Sequence, residues 1–183
     1  MITYFSPPSN TVVVKKKREQ AYKDLTQILI SAHRERAEEG NAITAFFGSG
    51  LVSAHEIWHL SSESAYEILK RGVPSRSLAA LSDYLGVGKG VVASLVDVDR
   101  TTAFRNASTD RPLPMHAAET VLRLLELTSL AEDTFETPED AAQWLRSAHP
   151  MLNGQTPLEL AKSGYGAERV KEILIALKYG GAV

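Results

Sequence analysis

The chain contains no cysteine, which removes disulfides, thiolate nucleophiles, iron–sulfur clusters and cysteine-ligated zinc together and fits a reducing compartment. It also lacks a long hydrophobic run. The most apolar stretch of membrane-spanning length, Asn41 to Leu60, is interrupted by Gly48, Gly50, His55, Glu56 and His59, so no span is expected. Neither charge sign is in excess: 20 basic and 22 acidic side chains leave a net charge of −2, which excludes the electrostatic footprint of a general nucleic-acid binder. Between Met1 and Val14 no basic residue precedes the short apolar stretch and no small-residue cleavage pattern follows it. A cytoplasmic location is therefore expected.

What is present is an ordinary globular composition, 44% hydrophobic and 23% charged over 183 residues. That is enough for one domain or two small ones with a buried core. The charge is unevenly spread, with 7 basic against 10 acidic side chains in residues 111–183 and near balance before that. Phosphate contact is accordingly expected from the middle of the chain or from Lys15-Lys16-Lys17-Arg18, and not from the C-terminal third.

Hydrophobic periodicity is helical throughout. After an irregular opening through Asn10, Ala21, Tyr22, Leu25, Ile28, Leu29 and Ala32 recur at three- and four-residue spacing from Lys15 onward, with Gly40 as a stop. Asn41 to Leu60 reads as a turn and one short helix. Helices follow over Ser62 to Arg71, Ser75 to Leu85, Lys89 to Val96 and Asp99 to Ala107, and a long one runs through Ala118, Val121, Leu122, Leu125, Leu130 and Phe135. Thr137-Pro138-Glu139-Asp140 and Thr156-Pro157-Leu158-Glu159 are helix starts with Thr at the cap, Pro at the first helical position and acids at the positive end of the dipole. A last helix is predicted over Ala167 to Tyr179. The fold class is all-α: an N-terminal helical extension over 1–60, a helix-turn-helix domain over 61–111 and a small helical domain over 112–183.

Several motifs invite a chemical reading. His55-Glu56-Ile57-Trp58-His59 has the spacing that places two imidazoles on one helical face for zinc. The position that would supply a third histidine is Ala65, and no strands back the helix, so two ordinary histidines on a semi-buried helix are expected and a zinc peptidase fused to a helix-turn-helix is the remote alternative. Gly86-Val87-Gly88-Lys89-Gly90 fails as a phosphate loop, since Gly90 stands where Ser or Thr is required; its glycines are expected to end one helix and start the next. Gly48-Ser49-Gly50 lacks the spacing of a nucleophile elbow. No catalytic residue, metal or cofactor is assigned.

Val91 to Asn106 carries the strongest physical pattern: a helix to Val96, a tight turn through Asp97-Val98-Asp99, and a second helix opening at Arg100 with Asp99 as its cap. This is the layout of a helix-turn-helix. Arg100, Thr101 and Thr102 would meet base edges and Arg105 a phosphate or base. Asp97 occupies the usual turn-glycine position, and with Asp99 it sets two negative charges beside the phosphate path.

The ordered set Gly72-Val73-Pro74, Tyr84-Leu85-Gly86-Val87, Arg100-Thr101 with Arg105, Ala131-Glu132-Asp133-Thr134-Phe135, Ala141-Ala142-Gln143-Trp144-Leu145, Leu152-Asn153-Gly154-Gln155-Thr156-Pro157-Leu158-Glu159-Leu160, and Gly166 with Val170, Leu174 and Gly180 resembles the Xre-type antitoxins of RES–Xre toxin–antitoxin modules. The resemblance covers Ser61 to Val183. It implies a homodimeric non-enzyme whose helix-turn-helix region binds operator DNA of its own operon and whose C-terminal domain binds and neutralises a RES-domain toxin that degrades NAD. The toxin-facing residues it carries over are Arg169, Lys178, Tyr179 and Gly180. The chain departs from the family at Ala176-Leu177-Lys178, where Arg-Ile-Glu is usual. A stand-alone helix-turn-helix regulator without a toxin is the alternative.

Overall fold

The computed structural model describes residues 9–34, 62–101 and 111–180. Among them the chain forms eight α-helices, one short 3-10 turn and an isolated β-bridge, in agreement with the all-α expectation. No single helix among the described residues is long and apolar enough to cross a membrane.

Helix α1 (Ser9–Arg34) buries Ala21, Tyr22, Leu25 and Leu29, the face that the three- and four-residue spacing selects. It begins earlier than expected: Ser9 and Asn10, read as part of an irregular tail, are already helical. The β-branched residues between Thr11 and Val14 cost only tenths of a kcal/mol each in helix propensity, while extending an existing helix is cheap. The stop at Gly40 lies outside the described residues, as does the whole of Asn41 to Leu60.

Helix α2 (Ser62–Arg71) buries Ile68 and closes at Gly72, whose positive φ of 91° lets its N–H donate to the carbonyls of both Ile68 and Leu69 at 3.1 Å. Helix α3 (Ser77–Leu85) starts two residues after the expected Ser75. The Ser75 N–H is committed instead to the Arg111 carbonyl at 2.9 Å, beside the bridge between Pro74 and Pro112. Gly86 ends α3 in the left-handed conformation and Gly88 is the extended residue before α4 (Lys89–Leu95). The two glycines therefore punctuate helices, and the chain turns by 109° between α3 and α4.

The core is organised on α5 (Met115–Thr134), which buries Ala117, Ala118, Val121, Leu122, Leu124, Leu125, Leu127 and Ala131. Burial on so many sides makes it a central helix rather than an amphipathic surface one. It touches α2, α3, α6 (Pro138–Arg146) and α8 (Gly164–Tyr179), while α1 lies on α3 and α2. Between α6 and α8 come the 3-10 turn Pro150–Leu152 and the single-turn α7 (Pro157–Leu160). Helix α8 starts at Gly164, ahead of the expected Ala167, because the Ser163 hydroxyl caps it by accepting from the Gly166 N–H at 3.0 Å.

Candidate functional site

Most of the C-terminal signature has a structural task. Ala131, Ala141 and Leu145 are core residues. Phe135 and Trp144 meet with ring centroids 5.7 Å apart, and Trp144 stacks on His149 at 4.8 Å. The Thr137 hydroxyl accepts from the Asp140 N–H at 3.1 Å. Thr156 and Glu159 form a reciprocal capping box, the carboxylate accepting from the Thr156 N–H at 3.0 Å; those bonds hold the Glu159 carboxyl below its usual range. A Cβ on Gly166 would lie 2.1 Å from the Leu160 carbonyl oxygen, so only glycine lets α8 approach α7 this closely. These residues build the domain and leave binding to others.

The residues they leave free are on α8. Positions 165, 169, 172, 176 and 179 fall on one outward stripe of a 3.6-residue helix. Tyr165 is 94% exposed and Tyr179 74%, with Ile175 also exposed at its edge. Arg169 lies between the two tyrosines and pairs with Glu172 at 3.2 Å. The edge of α8 nearer the core is cross-linked to α5 by two ion pairs at seven-residue spacing: Lys171 to Glu126 at 2.8 Å and Lys178 to Asp133. Because both partners advance together, α5 and α8 run parallel here. The hydrogen bond to Asp133 raises the Lys178 ammonium above the ordinary lysine range. Gly180 closes α8 with φ 68°, its N–H returning to the Ala176 carbonyl. The four toxin-facing residues carried over from the resemblance thus sit along one helix, with Arg169 and Tyr179 on the outward stripe and Lys178 turned toward α5.

At the turn after α4, Asp97 has φ 52°, the left-handed conformation for which glycine is the usual residue. The Val98 N–H returns to the Ala93 carbonyl at 3.0 Å, and helix resumes at Arg100. Arg100 and Thr101 are exposed, and the Arg100 side chain runs beside Gly90. Thr102 and Arg105 lie outside the described residues, as do His55, Glu56 and His59. Among the described residues no three His, Asp or Glu side chains are grouped to hold a metal ion.

The basic run at the N-terminus is divided by the fold. Arg18 stands four residues before Tyr22 and seven before Leu25, in register with the apolar stripe of α1, and is only 7% exposed. Its guanidinium donates to the Tyr84 carbonyl at 3.0 Å, to the Pro138 carbonyl and to Glu132 at 3.0 Å. Burial pushes Glu132 above the usual carboxylate range, with Arg18 and a hydrogen bond from Tyr84 pulling it back. Lys17 pairs with Asp83 at 2.9 Å, while Lys15 and Lys16 are exposed. The sequence reading missed this role for Arg18, although its register on α1 was there to be seen.

Residues 130–180 match the family model of the Antitoxin Xre/MbcA/ParS C-terminal toxin-binding domain. A curated relative, Antitoxin Xre of Pseudomonas putida, is 27% identical over 71 residues, which are 39% of this chain and 45% of that protein. The match therefore spans less than half the length of the relative. The matched family segment runs from the last turns of α5 through the end of α8, and so takes in the Phe135–Trp144 contact, the capping box, Gly166 and the exposed stripe. Residues 130–180 are thus similar to the toxin-binding domain of Xre-type antitoxins, in line with the resemblance read from the sequence over that part of the chain.

Proposed function

We propose that this chain is a non-enzymatic antitoxin that binds a RES-domain, NAD-degrading toxin through α8 and the residues after it, covers the toxin's active-site opening, and represses its own operon as a homodimer in the cytoplasm. The observation that carries the toxin-binding half is the outward stripe of α8. In a domain whose family is toxin-binding, the helix nearest the C-terminus leaves Tyr165, Ile175 and Tyr179 exposed while its other side is packed on α5. Aromatic side chains beside an arginine are the composition of interface anchors. Arg169, Lys178, Tyr179 and Gly180 are assigned to the toxin side.

The DNA-binding half rests on the left-handed turn at Asp97 and the exposed helix start at Arg100 and Thr101. They support the helix-turn-helix reading of the sequence, and Arg100, Thr101, Thr102 and Arg105 are assigned to the DNA side. Two such units in a dimer would bind half-sites about one DNA turn apart.

The test is growth and intracellular NAD in bacteria expressing the neighbouring reading frame alone, with this chain, and with this chain ending at Lys178. NAD is expected to collapse with the neighbour alone and to recover only with the full chain. Rescue by the shortened chain would remove the role assigned to Tyr179 and Gly180. Normal NAD and growth with the neighbour alone would remove the toxin and leave a stand-alone regulator.

A further inference from the structure

We infer that Lys178 serves toxin binding as a positioning residue: paired with Asp133, it anchors the last turn of α8 to α5 and so fixes the presentation of Tyr179. This deepens the antitoxin reading above and rests on it.

The last turn of a helix has carbonyls with no intrahelical partner and ordinarily frays. Here a side chain from that turn reaches across to the end of α5. The Lys178 ammonium donates to the Asp133 carboxylate, 45 residues away in sequence, and the same nitrogen lies 5.4 Å from the centroid of the Tyr179 ring. The cation is thereby bound to the carboxylate and lies over the aromatic ring. Two further observations separate this pair from ordinary surface ion pairs. Its side chains are only 30% and 27% exposed, against 69% and 50% for Lys17 and Asp83. It is also the second rung of a ladder whose first is Lys171 with Glu126, so α8 is held to α5 along its length and not at one point. A lysine near a helix C-terminus gains besides from the dipole.

Tyr179, by contrast, is 74% exposed. Nothing in the described residues packs over most of it, and its direction is set by the turn that carries it. Gly180 ends that turn with φ 68°. An interface residue already held in one orientation loses less freedom on binding, which is worth about 0.5–1.5 kcal/mol per side chain, or about two- to tenfold in affinity. The Lys178 charge is spent inside the domain, and its contribution to the partner passes through Tyr179.

The experiment uses the full chain as wild type, D133N, K178A and the charge-swapped D133K/K178D, with two readouts. Amide hydrogen exchange of the free protein reports on residues 176–180, and titration with the purified product of the neighbouring reading frame reports affinity. Expected are faster exchange confined to the last turn of α8 and a two- to tenfold loss of affinity in D133N and K178A, with exchange restored in the swap. Exchange unchanged in D133N overturns the anchor whatever the partner does. Affinity unchanged in D133N despite faster exchange also overturns the inference, because it shows that the anchor does not reach the partner. If the wild type fails to bind the neighbour's product, the antitoxin reading itself fails and the inference falls with it, a result told apart from the others because it needs no variant.

Discussion

Arg18 and Glu132, separated by 114 positions in the chain, form a 3.0 Å ion pair between the N-terminal helix and the last turn of α5. The arginine is nearly buried, and its other donors go to the carbonyls of Tyr84 and Pro138. One side chain from the segment without a counterpart in the family resemblance therefore ties together α1, α3, α5 and the start of α6.

Removing one partner of such a pair leaves a charge with little access to water, which typically costs 3–5 kcal/mol, whereas replacing both by apolar residues is often neutral. R18M is expected to destabilise by about 3 kcal/mol, at the low end because the Glu132 side chain keeps 26% of its exposure. R18M/E132M should recover most of that loss. Urea unfolding of the wild type, the two single variants and the double variant gives the coupling directly. A double variant no better than R18M would show that the backbone hydrogen bonds of Arg18, and not its charge pair, hold α1 in place.

The fold's helices were legible in the sequence wherever a physical stop or start was written locally. Thr137-Pro138, Thr156-Pro157, Gly72 and Gly86 each satisfy or release backbone groups within four residues, so their effect needs no knowledge of the rest of the chain. What was not legible is what the fold brings from afar. Arg18 reads as one of four consecutive cations until α1 is laid on α3, and Lys178 reads as a toxin-facing cation until α8 is seen to run beside Asp133. The start of α3 was misplaced for the same reason, since the Ser75 N–H is taken by Arg111. Of the candidate site, the helix that carries it was predicted but not its exposed stripe, because which face of α8 is covered depends on α5 and not on α8 alone.

Two neighbouring glycines should respond in opposite ways to alanine. At Gly166 the new Cβ would sit 2.1 Å from the Leu160 carbonyl oxygen, while at Gly164 nothing lies within 4 Å. Overpacking against backbone costs about 1–3 kcal/mol, and about 2–4 °C of Tm per kcal/mol applies at this chain length. G166A is expected to lower Tm by about 2–12 °C. G164A, inside the first turn of α8, should be neutral or raise stability by up to about 1 kcal/mol. Thermal unfolding followed by circular dichroism separates them, and equal Tm values would show that α8 can shift away from α7 at no cost.

Asp97 offers a separate test of the DNA-binding reading. Its φ of 52° is tolerated by Asp and Asn and costs most other residues about 1–2 kcal/mol. D97N should keep stability within about 0.5 kcal/mol, whereas D97V should lose more than 1 kcal/mol. Removing the negative charge beside the proposed phosphate path should also tighten binding of D97N to DNA from upstream of its own reading frame, by up to about fivefold at low salt. Fluorescence anisotropy at two salt concentrations measures it. An affinity for D97N equal to the wild type at both would place the phosphates away from this turn.

The capping box at α7 predicts an acid-side signature. The backbone N–H and then the hydroxyl of Thr156 hold the Glu159 carboxyl below its ordinary range. A carboxyl lowered in the folded state contributes stability that is fully present above its unfolded value, near 4.5, and is lost as pH falls through the folded one. E159Q keeps a hydrogen-bond acceptor but cannot ionise. It should therefore be less stable than wild type at pH 7, and the difference should close as pH falls from about 5 toward 3. T156A removes the bonds that lower the carboxyl and should cost about 1 kcal/mol at neutral pH, with its own gap to wild type narrowing over the same interval. Urea midpoints taken across that interval decide it. A gap between E159Q and wild type that stays constant with pH would show that the Glu159 charge contributes nothing to the start of α7 and that the shape of the turn at Thr156-Pro157 is sufficient.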